Sequence, residues 1–562
     1  MSKKTTTEII KINYKPKKLK VMKIKSLLIG MLACSAMVAC TNTDEPENNG
    51  NEIQKDGDKF VAVNIVMSGD AKSRTTGDFI EGSAEETAVN DAVFLFLDGE
   101  YKGCADPCYV DGNKLKQWST NVTDPANGGH LISQAVLVIN NDKQIPSYLV
   151  AILNPVGGEK HKYTANTSLQ DLKDEQADYT SYITSNFVMS NSVYVDPATN
   201  KEVAATPITL DNIFSTTGEG NDDEGALDHP VTIPVERIVS KIEVTGLDTA
   251  DDAWTDGDIK YNSGEDLTVK LVVTGWEVLQ NKESYTIKNV STAWTYGWWN
   301  AANIYRSYWA STDNISGGRT EYKVENMNNM NAKYIEETVN QEVNSQNREL
   351  NPYLLVRGYF ANEKGERIEL VEWGGKKYTL QGYLNLIAGS AKVSQYYYKD
   401  GDAYKKFDTT LLEMVDDTND WWSMAKLTST AAEKTFYTLK LNADGTPNAS
   451  TAKEVTVAEG ETNPVVAAVE QFGKVQYWNR GNTYYYTPIQ HQVDGDNKYY
   501  GIVRNHWYKI KVSSIVGFGT PVANPDQAID IPEDPETGAT YLAAQVVVLK
   551  WREVAYDVTL GN

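Results

Sequence analysis

Cys40 and Arg74 are the residues of this sequence best placed for covalent chemistry. Cys40 follows Ala39 and an apolar run, Ser26–Val38, which is preceded by a short positive start, Met22-Lys23-Ile24-Lys25. Small residues ahead of such a cysteine mark a bacterial lipoprotein signal, whose leader is cut off and whose cysteine is acylated. Met37 stands where these sites more often carry leucine. Arg74 is the first arginine of the chain, and the next is Arg237. The Arg74–Thr75 bond is therefore the one target that an arginine-selective protease meets in that stretch. Just before it lies a strand-like run, Phe60–Met67. A cut at Arg74 would detach the lipidated end together with that strand. This is the layout of a building block that is tethered first and released for assembly later.

Other candidate groups carry less. Cys104 and Cys108 flank Ala105-Asp106-Pro107, so a local disulfide spans a short, proline-containing loop. Zinc would need further ligands, and none of the five histidines is paired with this motif. Asp494-Gly495-Asp496-Asn497 resembles a fragment of a calcium loop but lacks the spacing of one, and is read as a hairpin turn. Asp416, Asp417 and Asp420 beside Trp421 and Trp422 could bind sugar, but are read as a solvated turn before packed tryptophans. Trp294, Trp298, Trp299 and Trp309 are read as core, with ligand contact as the alternative. No Ser/His/Asp or Cys/His arrangement and no phosphate-binding glycine loop stands out. No catalytic, cofactor-binding or metal-binding residue is expected, and no enzyme.

These residues must be held by a sizeable molecule. The chain has 562 residues, enough for two or three domains, with a globular composition of 41% hydrophobic and 23% charged residues. The formal net charge is −23 without a long basic run, which argues against a nucleic-acid partner. The 33 tyrosines and 13 tryptophans suit strands and binding surfaces. Residues 1–39 are expected to be a signal peptide with Met22 as the better start, and Thr41–Asn51 a polar, acidic tether. The apolar run is too short for a membrane-spanning helix.

Strand signals dominate the rest. Val93–Leu97 ends in the turn pair Asp98-Gly99, and Ala135–Ile139 and Tyr148–Leu153 are continuous apolar runs. Thr232–Val244 reads as one long strand. Beyond the Gly/Asp-rich segment Asp248–Glu265, strands are expected at Leu267–Leu279, Tyr353–Phe360, Ile368–Trp373, Lys377–Leu386, Tyr484–Ile489, Gly501–Ile515 and Tyr541–Leu560. Helices are expected only at Asn166–Tyr182 and Ala332–Val343. Many short strands joined by Gly/Asn/Asp turns give an all-β class of two β-sandwich domains with a few short helices. The boundaries are set at 40–74 for tether and first strand, 75–250 for the first domain and 251–562 for the second. The two ends match: Val61, Val63, Ile65 and Met67 share one face, as do Val554, Tyr556, Val558 and Leu560. If the first strand leaves, the last strand of another copy could fill the groove.

Several segments resemble a known family. Tyr500–Ile510, followed by Ser513-Ser514-Ile515 and Gly517–Pro521, is the most specific. Tyr484–His491, Tyr305–Ala310, Val235–Ile242, Tyr541–Ala544 and Leu549-Lys550-Trp551 extend the match. They are similar to the minor-fimbria major-subunit family of Bacteroidales-type fimbrillins, the building blocks of type V pili. Tyr334–Thr338 departs at its second position, where members often carry cysteine. The resemblance implies two transthyretin-like β-sandwich domains and export as an outer-membrane lipoprotein acylated at Cys40. It implies a cut between Arg74 and Thr75 by an arginine-specific surface protease, then donor-strand polymerisation into a cell-surface fimbria. Partners would be copies of itself and fimbrial anchor and tip proteins, in adhesion and biofilm formation. The alternative is a surface lipoprotein that binds glycans and is neither cut nor polymerised.

Overall fold

A computed structural model describes residues 59–67, 82–120, 133–140, 144–155, 160–175, 187–215, 223–247, 253–254, 267–280, 285–291, 299–301, 305–311, 319–344, 350–416, 422–529, 531 and 541–549. The described part is β-rich with a few short helices, as the sequence implies.

The first half is built from β1 (Lys59–Met67), β2 (Ala92–Leu97), β3 (Cys108–Tyr109), β4 (Leu115–Thr120), β5 (Ser133–Ile139), β6 (Tyr148–Leu153) and β7 (Met189–Asn191). A small hairpin of β8 (Tyr194–Asp196) and β9 (Lys201–Val203) follows, then β10 (Thr206–Pro207), β11 (Ile213–Ser215) and β12 (Val231–Arg237). One sheet runs β3-β2-β6-β7-β12-β1-β5-β4, with β10 on β6 and β11 on β1. It curls so that alternate residues of several strands meet: Val61, Phe94, Leu137, Ala151 and Ile233 belong to one core. Asp98 takes the backbone N–H of Tyr101 after β2, the turn that Asp98-Gly99 signals.

The long strand expected over Thr232–Val244 is two. The chain leaves the first sheet after Arg237, and Ile238 donates its N–H to Val188. It then enters β13 (Val239–Thr245), which pairs in parallel with Trp507–Val516. This change of sheet comes upstream of the Gly/Asp-rich segment in which the boundary is expected. The second sheet runs Lys333–Glu336, β13, Trp507–Val516, Tyr541–Leu549. A facing sheet holds Val269–Leu279, Tyr353–Ala361 and Asn482–Pro488, and Ile242, Trp276, Val356, Tyr485 and Tyr508 fill the core of this half.

Tyr353–Ala361 and Asn482–Pro488 are direct antiparallel neighbours, Tyr353 opposite Pro488 and Tyr359 opposite Asn482. Residues 362–481 are thus inserted in what is otherwise a hairpin. The insert has its own core of Val371, Tyr383, Ile387, Phe407, Val465 and Tyr477. It holds the longest described helix, Leu380–Gly389, capped by Thr379, whose hydroxyl accepts from Gly382 N–H at 3.0 Å. The strand expected over Lys377–Leu386 is therefore corrected: it ends at Thr379, where the cap turns it into a helix. The helix expected at Ala332–Val343 is also corrected, to strands Lys333–Glu336 and Thr338–Val339. Pairing with β13 and Asn497–Ile502 outweighs the weak helical pattern there. Of Asn166–Tyr182, Leu169–Asp174 is helical, capped by Ser168, and 176–182 lie outside the described residues. Asp494–Asn497 is a hairpin turn, as read.

Candidate functional site

β1 has a neighbour on each edge over most of its length, up to Ile65. Lys59–Ile65 runs antiparallel to β5, Val63–Met67 runs parallel to β12, and Lys59–Val61 runs antiparallel to β11. A strand flanked on both sides has no edge exposed to solvent. Val61, Val63 and Ile65 are fully buried, and Met67 is half-buried at the end of the strand. These are the face read from the sequence. The other face is buried too, which the period-two reading missed. Phe60 and Ala62 pack with Val136, Val138 and Ala226, the last from the helix Asp223–Asp228. A strand paired in parallel and covered on both faces carries near-continuous apolar residues, and Phe60–Val63 was the available signal. Burying the four inner side chains contributes roughly 6–12 kcal/mol as an upper bound before ordering costs.

The stretch 68–81, which contains Arg74 and Thr75, lies outside the described residues. So do Cys40 and the expected donor residues Val554, Tyr556, Val558 and Leu560. The described backbone ends with Tyr541–Leu549, paired antiparallel to Trp507–Val516.

Immediately beyond 68–81 the chain is pinned. Ser83 caps the short helix Ala84–Thr87, and Glu86 returns the bond to Ser83 N–H at 2.8 Å. Glu86 is buried and also meets Lys241 Nζ at 2.8 Å, while Tyr334 donates its hydroxyl to it at 2.6 Å. Burial raises its pKa, but Lys241, Tyr334 and the Ser83 N–H outweigh burial and hold it below the usual range. Arg237 donates to the Glu86 carbonyl at 2.6 Å. A Cβ at Gly82 would stand 2.6 Å from Arg237 Nη2 and 2.9 Å from Glu86 Oε2, so a larger residue there would displace the anchoring side chains.

The segments singled out in the sequence converge beside this anchor. Arg237 also donates to Asn505 Oδ1 at 3.1 Å, and Arg306 donates to the Asn505 carbonyl. Lys288 pairs with Glu236 at 2.9 Å, both fully buried, and burial lowers the lysine pKa despite that partner. Arg504 meets Glu337 at 3.2 Å and donates to the carbonyls of Tyr285 and Thr286. Val503 N–H donates to the Tyr508 hydroxyl, which lies 2.6 Å from His491 Nδ1. His506 is fully buried, and burial, then Arg306 and His491, push its pKa well down. Val235–Ile242, Tyr305–Ala310, Tyr334–Thr338 and Tyr500–Ile510 thus share one buried polar junction. Lys288–Glu236 and Arg504–Glu337 are ion pairs, and Arg237 and Arg306 donate to carbonyl oxygens, which offsets part of the cost of keeping charge out of water. Spacing along the sequence gave no sign of this meeting.

Among the described residues the remaining candidates form no second site. Cys104 and Cys108 are free thiols, and burial pushes each up to about 12. Trp299 and Trp309 are buried in the core, while Trp294 and Trp298 lie outside the described residues. Among the described residues no His/Cys/Asp/Glu group could hold a metal ion, and no helix is long and apolar enough to cross a membrane.

Comparison with known proteins places the C-terminal segment. Residues 476–557 match the family described as "Major fimbrial subunit protein type IV, Fimbrillin, C-terminal". No curated relative matches the chain. Among solved structures, two candidate cell adhesion proteins from Parabacteroides distasonis are similar at 10% and 11% identity, each with a TM-score of 0.34. Alignment covers 87% and 88% of this chain and 96% and 99% of theirs. A third, from Bacteroides eggerthii, is 10% identical with a TM-score of 0.31, over 88% of this chain and 97% of that one. Tyr484–His491 and Tyr500–Ile510 lie within the matched segment.

Proposed function

We propose that the protein is a structural subunit of a cell-surface fimbria, made as an outer-membrane lipoprotein acylated at Cys40 and cut between Arg74 and Thr75. The cut frees β1, and the C-terminal strand of another copy takes its place, so that copies join by donor-strand exchange. The observation that carries the reading is the position of β1, which is central in its sheet, buried on both faces, and joined to the rest through the segment that contains Arg74. A first strand at a sheet edge could leave without creating a binding site. One in the centre leaves two open backbone ladders and an apolar floor, which only another strand can satisfy. The Glu86 anchor lies downstream of Arg74 and holds the new end in place. The fimbrillin region at 476–557 supports the same reading. Partners on this reading are further copies, anchor and tip proteins, and an arginine-specific protease. The test is N-terminal sequencing of protein taken from the cell surface, with electron microscopy. Wild-type filaments should begin at Thr75, and Arg74→Ala should leave a longer, monomeric form. Filaments whose subunits still carry residues 41–74 would sink the reading.

A further inference from the structure

The outer face of the β1 slot is apolar at one end and crossed by a polar row in the middle. Asn64 lies opposite Gln134 of β5 and beside Thr232 of β12, and Gln134 lies opposite Ser119 of β4. Paired residues point to the same side of a sheet, so Thr232, Asn64, Gln134 and Ser119 form one row across four strands. Asn64 is only 6% exposed, and its Oδ1 accepts from Gln134 Nε2 at 2.9 Å. On one side of the row lies the apolar patch of Phe60, Ala62, Val136, Val138 and Ala226. On the other, Val66 is buried beside Pro234.

An incoming strand must choose a register in this slot. A shift of one residue turns its apolar face outward, and a shift of two keeps three of four inner contacts and so is the dangerous error. Val554, Tyr556, Val558 and Leu560 cover the places of Val61, Val63, Ile65 and Met67 in one register. The midpoint of the first set is Asp557, and the midpoint of the second is Asn64. Asp557 therefore falls on the polar row whichever way the strand runs. Its neighbours on that face, Ala555 and Thr559, are small enough for the places of Ala62 and Val66. A two-residue slip would instead press the carboxylate against Val136 or Pro234, where it has no donor.

We propose that the Asn64–Gln134 row is a register mark in the subunit slot, read by Asp557 of the incoming strand of a second copy. The inference rests on the donor-strand reading and adds the residue that sets alignment. Asn64 holds the mark before the cut, and Asp557 accepts from Gln134 Nε2 after it. A buried polar residue that costs stability when misaligned is an efficient way to specify one alignment among several.

The test uses full-length protein, cut and assembled, with paired cysteines as rulers. Val136→Cys, which leaves Gln134 in place, is combined with one cysteine in the incoming strand, each pair with Asp557 kept and with Asp557→Leu or Asp557→Asn. Ala555→Cys reads the proposed register if the donor runs as β1 does, and Thr559→Cys if it runs the other way, because the place of Ala62 lies opposite Val136. Glu553→Cys and Gly561→Cys read, for the same two directions, the two-residue slip that brings residue 557 to Pro234. Cys108 is buried and Cys104 half-buried, and burial keeps both native thiols protonated, so they stay in place. With Asp557 or Asp557→Asn, residue 136 should crosslink to 555 or to 559 and little to 553 or 561. With Asp557→Leu the slipped register opens, and crosslinking of 136 to 553 or 561 should rise about tenfold. Strong crosslinking to 553 or 561 with Asp557 intact would overturn the proposal, as would an unchanged pattern in Asp557→Leu. Absence of filaments in the unsubstituted protein would instead remove the donor-strand reading itself.

Discussion

At the residue scale, the buried junction gathers several charged side chains out of water. Arg237, Arg306, Arg504, Lys288, Glu236 and Glu337 are all nearly inaccessible to water. Lys288–Glu236 and Arg504–Glu337 are ion pairs, and removing one partner of such a buried pair costs about 3–5 kcal/mol. His506 adds a pH dependence. Its pKa is pushed well below the ordinary value by burial, then by Arg306 and His491, so it stays neutral in the folded state while an unfolded chain would protonate near its usual pKa of about 6.5. Below that pH the unfolded state binds the extra proton and gains, so stability held above pH ~6.5 is lost progressively as pH falls toward the depressed folded value. Urea melts between pH 8 and 5 should show this decline, and His506→Gln should flatten it. An equal slope in both proteins would assign the effect elsewhere.

At the scale of elements, the sequence was most readable where strands are apolar or alternate. β2, β5 and β6 lie where Val93–Leu97, Ala135–Ile139 and Tyr148–Leu153 were read, because each is a short apolar run between turn signals. Ala332–Val343 misled because Tyr334, Glu336 and Glu337 suit a helix locally, while their partners are far away. Glu336 accepts from Gln280 and Glu337 meets Arg504, contacts that no local window contains. For β1 the inner face was legible and the outer face was not, because the helix Asp223–Asp228 that covers it is distant in sequence. The slot accordingly makes demands on both faces. Val558→Asp would place an unpaired charge in the inner core, whose counterpart residues Val63 and Ile65 are fully buried. Subunits with this substitution should fold and be cut normally yet fail to form filaments, as should subunits lacking residues 554–562. Sedimentation of cut protein would check it, and normal filaments from a folded truncation would exclude the terminal strand as donor.

At the scale of the whole molecule, the donor-strand proposal makes one strand serve both stability and assembly. β1 contributes a buried ladder and two apolar faces to the first half of the fold. The second half has its own core, and residues 362–481 have a third, so neither depends directly on β1. The Glu86–Arg237–Lys241–Tyr334 anchor ties the chain just beyond residue 81 to the second sheet. Loss of β1 should therefore loosen the first half selectively and leave the rest folded. A ligand that binds only the folded slot raises stability by mass action, about 2.7 kcal/mol at a hundred times its dissociation constant. This gives a measurement that joins the two scales. Cut subunits truncated after residue 553 and freed of β1 should melt in two steps, the lower one from the first half. A synthetic peptide of residues 551–562 should raise the lower step in a concentration-dependent way and leave the upper one in place. The same peptide with Val558→Asp should not. If the free subunit melts in one step at the temperature of the uncut precursor, or if the peptide moves both steps equally, then β1 is not the element whose loss and replacement govern this molecule.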